Sequence, residues 1–167
     1  MDTLSHALWA MAVFWHTPYR YWAFLFGALP DLLTFGPRFA ARFIDFLLPL
    51  DIPRVGQFVP YTVSHSFITW IMVGAIVYAA TRKRPYVLLA CGIHITQDMF
   101  THVGNWLTPV LWPLSDWGYQ YGIRWREPVF MAVNIIALAI VYGLIAMHTW
   151  QHRKKGATKY KKPLRFW

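Results

Sequence analysis

Two long stretches of this chain carry no Lys, Arg, Asp or Glu: Val55 to Thr81 and Pro128 to His152. Each exceeds the roughly 20 residues that a helix needs to cross the apolar core of a bilayer. A third stretch, Pro85 to Trp106, is interrupted only by Asp98. The composition agrees with spanning segments: 57% of the 167 residues are apolar and only 14% charged, against roughly 25% charged in a soluble domain. So few charges cannot coat a compact surface of this size. The apolar content excludes a largely disordered chain. The single cysteine, Cys91, excludes a disulfide-stapled scaffold.

The expected fold is therefore all-α, an integral membrane helical bundle of about five helices. They are placed near residues 3–16, 20–35, 61–81, 85–104 and 128–149. The first two are short and read as a hairpin joined at His16-Thr17-Pro18-Tyr19-Arg20. Pro37 to Leu50 reads as a separate interfacial amphipathic helix, with Arg38, Arg42 and Asp45 among Phe39, Phe43, Ile44, Phe46 and Leu47. The connection 105–127, with Trp106, Trp112, Trp117, Tyr119, Tyr121 and Trp125, has the composition of an aromatic interfacial anchor or of a lid over a site.

The net charge of +9 gives an orientation. Arg82, Lys83 and Arg84 form one basic knot, and Arg153, Lys154, Lys155, Lys159, Lys161, Lys162 and Arg165 form another. The positive-inside rule puts both in the cytoplasm. The organisation is then a membrane-embedded domain, residues 1–152, followed by a polybasic cytoplasmic tail, 153–167. The connections 36–60 and 105–127 fall outside, and Arg38, Arg42, Arg54, Arg124 and Arg126 run against the rule there.

Ionisable groups within apolar helices are costly and mark candidate sites. The set is Asp2, His6, Asp31, His65, His94, Asp98 and His102. Asp2 reads as a helix cap. Asp31, after Pro30, reads singly as a helix cap or breaker, and His6 and His65 as hydrogen-bonded core histidines. His16, His148 and His152 sit at the cytoplasmic ends and read as interfacial. His94, Asp98 and His102 are spaced i, i+4, i+8, on one face of a helix. Imidazole and carboxylate donors together suit zinc, with manganese or iron as alternatives. A structural polar network is the competing reading. Gln97 is expected to point away from this face. In the five-helix arrangement His6, Asp31, His65, His94, Asp98 and His102 all fall in the non-cytoplasmic half of the membrane.

Several motifs resemble those of a bacterial family of membrane-bound, metal-dependent hydrolases long catalogued as a domain of unknown function. They are Met1-Asp2-Thr3-Leu4-Ser5-His6-Ala7, Gly27-Ala28-Leu29-Pro30-Asp31, Ser64-His65-Ser66, His94-Ile95-Thr96-Gln97-Asp98-Met99-Phe100-Thr101 and Leu111-Trp112-Pro113. They span about residues 1–115. A weaker likeness is to helical zinc-dependent phospholipases C. The chain departs from the family pattern at Pro60, where a His is usual, at Leu33, where an acid is frequent, and at His102, where a Pro is common.

The resemblance implies a bacterial inner-membrane, multi-pass protein with its C-terminus in the cytoplasm. It implies a hydrolase that acts through metal-activated water on a phosphoester or ester bond of a lipid or lipid-linked substrate. The expected metal ligands are His6, Asp31, His65, His94, Asp98 and His102, with His65 and Asp98 as the residues carrying catalysis. Ser64 and Ser66 are expected to orient ligands rather than to attack. Membrane lipids are the expected partners, and no specific nucleic acid is expected. Two other readings stand beside this one. The His/Asp cluster holds metal structurally or relays protons, or the polybasic tail does the work by docking on anionic lipid.

Overall fold

The computed structural model describes residues 1–50, 56–57 and 59–159, with side chains as far as Arg153. Arg54 and most of the expected basic tail lie outside the described side chains. Among the described residues the fold is all-helical and contains no strand. The helices are α1 (Thr3–Val13), α2 (Arg20–Leu47), α3 (Tyr61–Ser64), α4 (Phe67–Thr81), α5 (Leu89–Thr101) and α6 (Pro128–Lys159). Short 3-10 turns cover Tyr86–Leu88 and Gly104–Trp106.

Helix α1 starts where the sequence places its cap. The Asp2 carboxylate accepts from the Ser5 backbone N–H at 2.9 Å and from the Ser5 hydroxyl at 2.6 Å. The chain then turns and sends α2 back along α1. Ala7, Ala10, Ala23 and Gly27 make this contact, and the alanines are buried. Gly27 permits the closest approach: a Cβ there would lie 2.6 Å from Ala10 Cβ and 3.0 Å from the His6 carbonyl oxygen. The glycine thus sets how near His6 comes to α2.

Helix α2 differs from the expected pair of segments. The hairpin arm and the amphipathic stretch form one continuous helix through Pro30 and Pro37. A proline inside a helix strips the carbonyl four residues earlier of its partner and normally breaks or kinks the helix. Here both carbonyls find replacements. The Cys91 thiol donates to the Phe26 carbonyl at 3.2 Å, and the Val59 N–H donates to the Leu33 carbonyl at 3.0 Å. Tertiary contacts therefore keep the helix intact, and no local signal reports them.

The expected helix 61–81 is divided instead of continuous. It breaks at His65, because Ser66 adopts an extended conformation and caps α4, its hydroxyl accepting from the Ile68 N–H at 3.1 Å. Ser66 also donates to the Trp112 carbonyl at 2.5 Å, and the Phe67 N–H donates to the Val110 carbonyl. Ser66 is thus a helix cap and loop tie, not the ligand-orienting group expected for it. The expected helix 85–104 likewise begins as a 3-10 turn after Pro85 and ends at Thr101.

Helix α6 lies against α1. Asn134 accepts from Trp9 Nε1 at 2.9 Å and donates to Ser5 Oγ at 2.8 Å, and Tyr142 donates to the Leu8 carbonyl. Among the described residues one helix, over Pro128–Arg153, is long and apolar enough to cross a membrane. Only Asn134 and Leu138 of that stretch are buried within the chain. The helix runs on past residue 152, so the expected boundary between domain and tail falls inside it. At the far end of α1, the His16 and His148 rings meet, with Arg20 and Arg153 around the same small cleft.

Gly27→Val should strain the α1–α2 seam, because its side chain would enter space already held by Ala10. The expected effect is an overpacking loss of about 1–3 kcal/mol, read as a lower unfolding midpoint of the detergent-solubilised protein by circular dichroism. An unchanged midpoint would show that the seam is looser than the contacts indicate.

Candidate metal centre

Four helices converge on one buried point. Helix α2 supplies Asp31, the α3–α4 break supplies His65, and α5 supplies His94 and Asp98. These four are buried and each offers a donor atom within 4.8 Å of the others, which makes the group able to hold a metal ion. Helix α1 adds His6, also fully buried.

The separations test the fit. His94 Nε2 lies 3.2 Å from His65 Nε2 and 3.2 Å from Asp98 Oδ2. His65 Nε2 lies 3.4 Å from Asp31 Oδ1 and 3.4 Å from Asp98 Oδ2, and His94 Nε2 lies 3.8 Å from Asp31 Oδ1. A tetrahedral ion with ligand bonds of about 2.0–2.1 Å has ligand–ligand edges of ~3.3–3.4 Å. Direct charge-assisted hydrogen bonds would be shorter, about 2.7–2.9 Å. The observed spacing resembles the edges of a coordination polyhedron more than a hydrogen-bonded cluster.

The hydrogen bonds on the outer ring nitrogens point the same way. His94 Nδ1 donates to the Gly27 carbonyl at 2.7 Å. A carbonyl only accepts, so the proton sits on Nδ1 and the Nε2 lone pair faces the centre. His65 Nδ1 lies 2.7 Å from Ser64 Oγ and 3.2 Å from the Tyr61 carbonyl, and a proton on Nδ1 donated to that carbonyl would give the same tautomer. Thr34 Oγ1 in turn meets Ser64 Oγ at 2.6 Å. Metal-bound histidines are oriented in this manner, with the distal N–H held by a backbone or side-chain acceptor. Asp31 keeps one oxygen inward while the other accepts from Thr3 Oγ1 at 2.6 Å.

Asp98 is the most crowded member. Its Oδ2 faces the two Nε2 atoms and has no hydrogen-bond partner. Its Oδ1 lies 2.8 Å from His6 Nε2 and 2.9 Å from His102 Nδ1. Both contacts are at hydrogen-bond distance without hydrogen-bond geometry, so both ring nitrogens remain unsatisfied. The Met1 amino nitrogen approaches the same oxygen at 2.5 Å and Thr101 Oγ1 at 2.9 Å.

Each residue singled out from the sequence can now be placed. Asp31, His65, His94 and Asp98 form the compact donor group. His6 and His102 adjoin it through Asp98 Oδ1. His102 lies just past the end of α5 in an extended conformation, not on the helix face that its spacing suggests. Gln97 also differs from expectation: its Oε1 lies 2.8 Å from His6 Nδ1 and holds that ring in place. Thr3, Thr34 and the Gly27 carbonyl were not legible as site components. For Thr34 and Gly27 the one sequence signal is proximity to Pro30-Asp31, which is too common to be specific, and Thr3 stands 28 residues before Asp31.

The centre is reached from a cleft of about 830 Å³ lined by Asp31 and His102 at its inner end. Trp125 also lines it, and the Trp125 and Ile123 N–H groups tie this loop to the end of α5 by donating to the Thr101 and Phe100 carbonyls. Gly122 allows this docking, since a Cβ there would lie 2.5 Å from the Phe100 oxygen. Comparison with family models, with curated proteins and with solved structures gives no match.

Two variants probe the centre at different depths. Ser64→Ala removes a group that orients His65 and should weaken zinc binding about 10–100-fold while the fold persists, as measured by chelator competition. His65→Ala should abolish stoichiometric metal, as measured by mass spectrometry of the purified protein. Equal metal retention in all samples would exclude this group as the binding site.

Proposed function

We propose that the protein is a membrane-bound, metal-dependent hydrolase acting on a phosphoester or ester bond of a lipid-like substrate. The observation that carries this reading is the buried donor group beside an open cleft: two imidazole lone pairs and two carboxylate oxygens converge at spacings suited to a divalent ion. Zinc fits the mixed nitrogen and oxygen donors best, with manganese and iron next. The motif resemblance described above points to the same class.

When bound, such an ion lowers the pKa of a coordinated water to about 7 and polarises a phosphoryl or acyl oxygen. The chain's own groups supply the rest. Asp31 both faces the donor group and lines the cleft, so it stands where the substrate's reacting bond would enter. His102 touches Asp98 and opens to the cleft, a position from which its imidazole can take up or release a proton. Gln97 and Gly27 hold the His6 and His94 rings and so limit reorganisation during the reaction. No serine is placed as a nucleophile. Ser64 is buried against His65 and Thr34, and Ser66 is a helix cap.

The membrane setting is supported by exposed apolar side chains on α4 and α6. Ile71, Met72 and Ile76 on α4 and Val133, Ile136, Ile140 and Leu144 on α6 face outward. A contiguous apolar exterior of this kind needs lipid or another protein to cover it. Arg20 and Arg153 line one small cleft, so the α1–α2 turn and the end of α6 share one end of the molecule, which is in keeping with the positive-inside orientation. The metal centre then lies toward the opposite, non-cytoplasmic side.

A second reading has its own observation. His6, His102 and the Met1 nitrogen crowd one oxygen of Asp98, as they would in a proton-holding network with a structural metal or none. Turnover separates the two. Zinc- or manganese-loaded protein should hydrolyse p-nitrophenyl phosphate, bis-p-nitrophenyl phosphate or p-nitrophenyl butyrate, and Asp98→Asn should lose at least about a hundredfold in kcat without losing helicity. Metal-replete wild type that turns over none of these, and that unfolds on chelation, would favour the structural role.

A further inference from the structure

The cleft above the metal centre has a second chemical character. Its outer part is lined by Arg38 and Arg42 from α2 and by Arg124 and Arg126 from the loop before α6. All four are exposed. The cleft also holds Asp2 and Asp31, but both carboxylates are already engaged. Asp2 caps α1, and Asp31 takes Thr3 and faces His65. The cleft therefore presents the guanidinium groups of Arg42, Arg124 and Arg126, with Arg38 beside them.

Both arginine pairs are held by the fold. Asp31, Phe35, Arg38 and Arg42 follow i, i+4, i+7, i+11 on one continuous helix, so they share a face. Arg38 and Arg42 lie roughly 10 and 16 Å further along the axis than Asp31. Arg124 and Arg126 flank Trp125, whose N–H is tied to Thr101 beside His102. Arg126 also lies over the Trp125 ring at 4.9 Å. Phe39 and Trp106 line the same cleft and are about half exposed. Guanidinium groups read phosphate through paired, charge-assisted hydrogen bonds. The adjoining aromatic faces suit an apolar chain. In the proposed orientation these arginines also lie on the side that the positive-inside rule disfavours, and anion recognition gives them a reason to be there.

We propose that this outer cleft binds the phosphate headgroup of a membrane amphiphile and presents that molecule to the metal centre. The inference rests on the hydrolase reading of the centre and narrows its substrate to anionic, phosphate-bearing amphiphiles. Arg42, Arg124 and Arg126 are the reading groups, with Arg38 beside them. Phe39 and Trp106 receive the start of the apolar chain.

The test uses the full chain in neutral detergent and isothermal titration with three probes: dihexanoyl phosphatidic acid, dihexanoyl phosphatidylcholine and inorganic phosphate. Wild type should bind the phosphatidic acid at least about tenfold more tightly than either of the others. Arg42→Ala/Arg124→Ala should lose that preference while its metal content and helicity match wild type. Arg42→Lys/Arg124→Lys should keep part of it, since charge remains but the paired geometry does not. Arg153→Ala, at the other end of the molecule, should change nothing. Equal binding of the two lipids by wild type would overturn the proposal, as would a preference that survives in the double alanine variant. Inorganic phosphate binding as tightly as the lipid would overturn the amphiphile and leave free phosphate as the ligand. Metal is measured on the same samples. A wild type without metal that still prefers phosphatidic acid would sink the hydrolase reading while the headgroup site stands.

Discussion

Two imidazole nitrogens, His65 Nε2 and His94 Nε2, face each other at 3.2 Å. Neither ring can turn away, because each Nδ1 is held on its far side by an acceptor. Two carboxylate oxygens complete the ring of electron-rich atoms. Buried without a cation, such a group is strongly disfavoured. A divalent ion at its middle turns the repulsion into coordination. Much of the fold serves to bring these atoms together. The Gly27 seam admits α1, the Ser66 cap breaks the chain at His65, and the reconnected prolines keep α2 running past Asp31.

The treatment of α2 shows how one local irregularity shapes a site. Pro30 leaves the Phe26 carbonyl open, and Cys91 on α5 closes it. One residue on, the Gly27 carbonyl takes the His94 ring, also from α5. The α2–α5 contact is thus stitched by polar bonds where both helices carry site residues. Polar bonds between helices hold their relative position more tightly than apolar packing alone, because a small slide would leave buried donors and carbonyls unpaired. Farther along, the Val59 bond to Leu33 lets the helix continue through Pro37, which carries Arg38 and Arg42 out over the cleft. Asp31 of the donor group and the Arg38–Arg42 part of the cleft therefore share one face of α2.

These features combine into a directional site. The most buried atoms belong to a group that could hold a metal ion, Asp31 of that group and His102 line the cleft, and the rest of the cleft is cationic and aromatic. On the proposed reading, a substrate with an anionic head and an apolar body would meet complementary surface at each level. The crowding at Asp98 Oδ1 bears on proton handling. That oxygen has three nitrogen neighbours, so the carboxylate links the donor group to His102 at the cleft.

The amino-acid sequence by itself determined the all-helical character, the cap at Asp2, the apolar helix near 128–149 and the identity of the polar residues inside apolar stretches. Each of these follows from local rules: period, charge exclusion and side-chain chemistry act over a few turns. The sequence also implied that His6, Asp31, His65, His94, Asp98 and His102 were candidates to meet, because isolated buried charges need partners. Only the tertiary structure decided the rest. It joined the arm 20–35 and the amphipathic stretch from Pro37 into one helix, divided 61–81 at His65, turned Gln97 onto His6 and made Ser66 a cap. Each of these outcomes depends on hydrogen bonds between residues tens of positions apart, such as Cys91 to Phe26 and Ser66 to Trp112. A proline reads as a break until a distant donor satisfies the carbonyl it frees. A serine reads as free until a loop from elsewhere in the chain takes its hydroxyl. The metal donors were legible because chemistry restricts them to a few residue types, whereas the scaffold that aims them is made of carbonyls, hydroxyls and a glycine that any sequence contains.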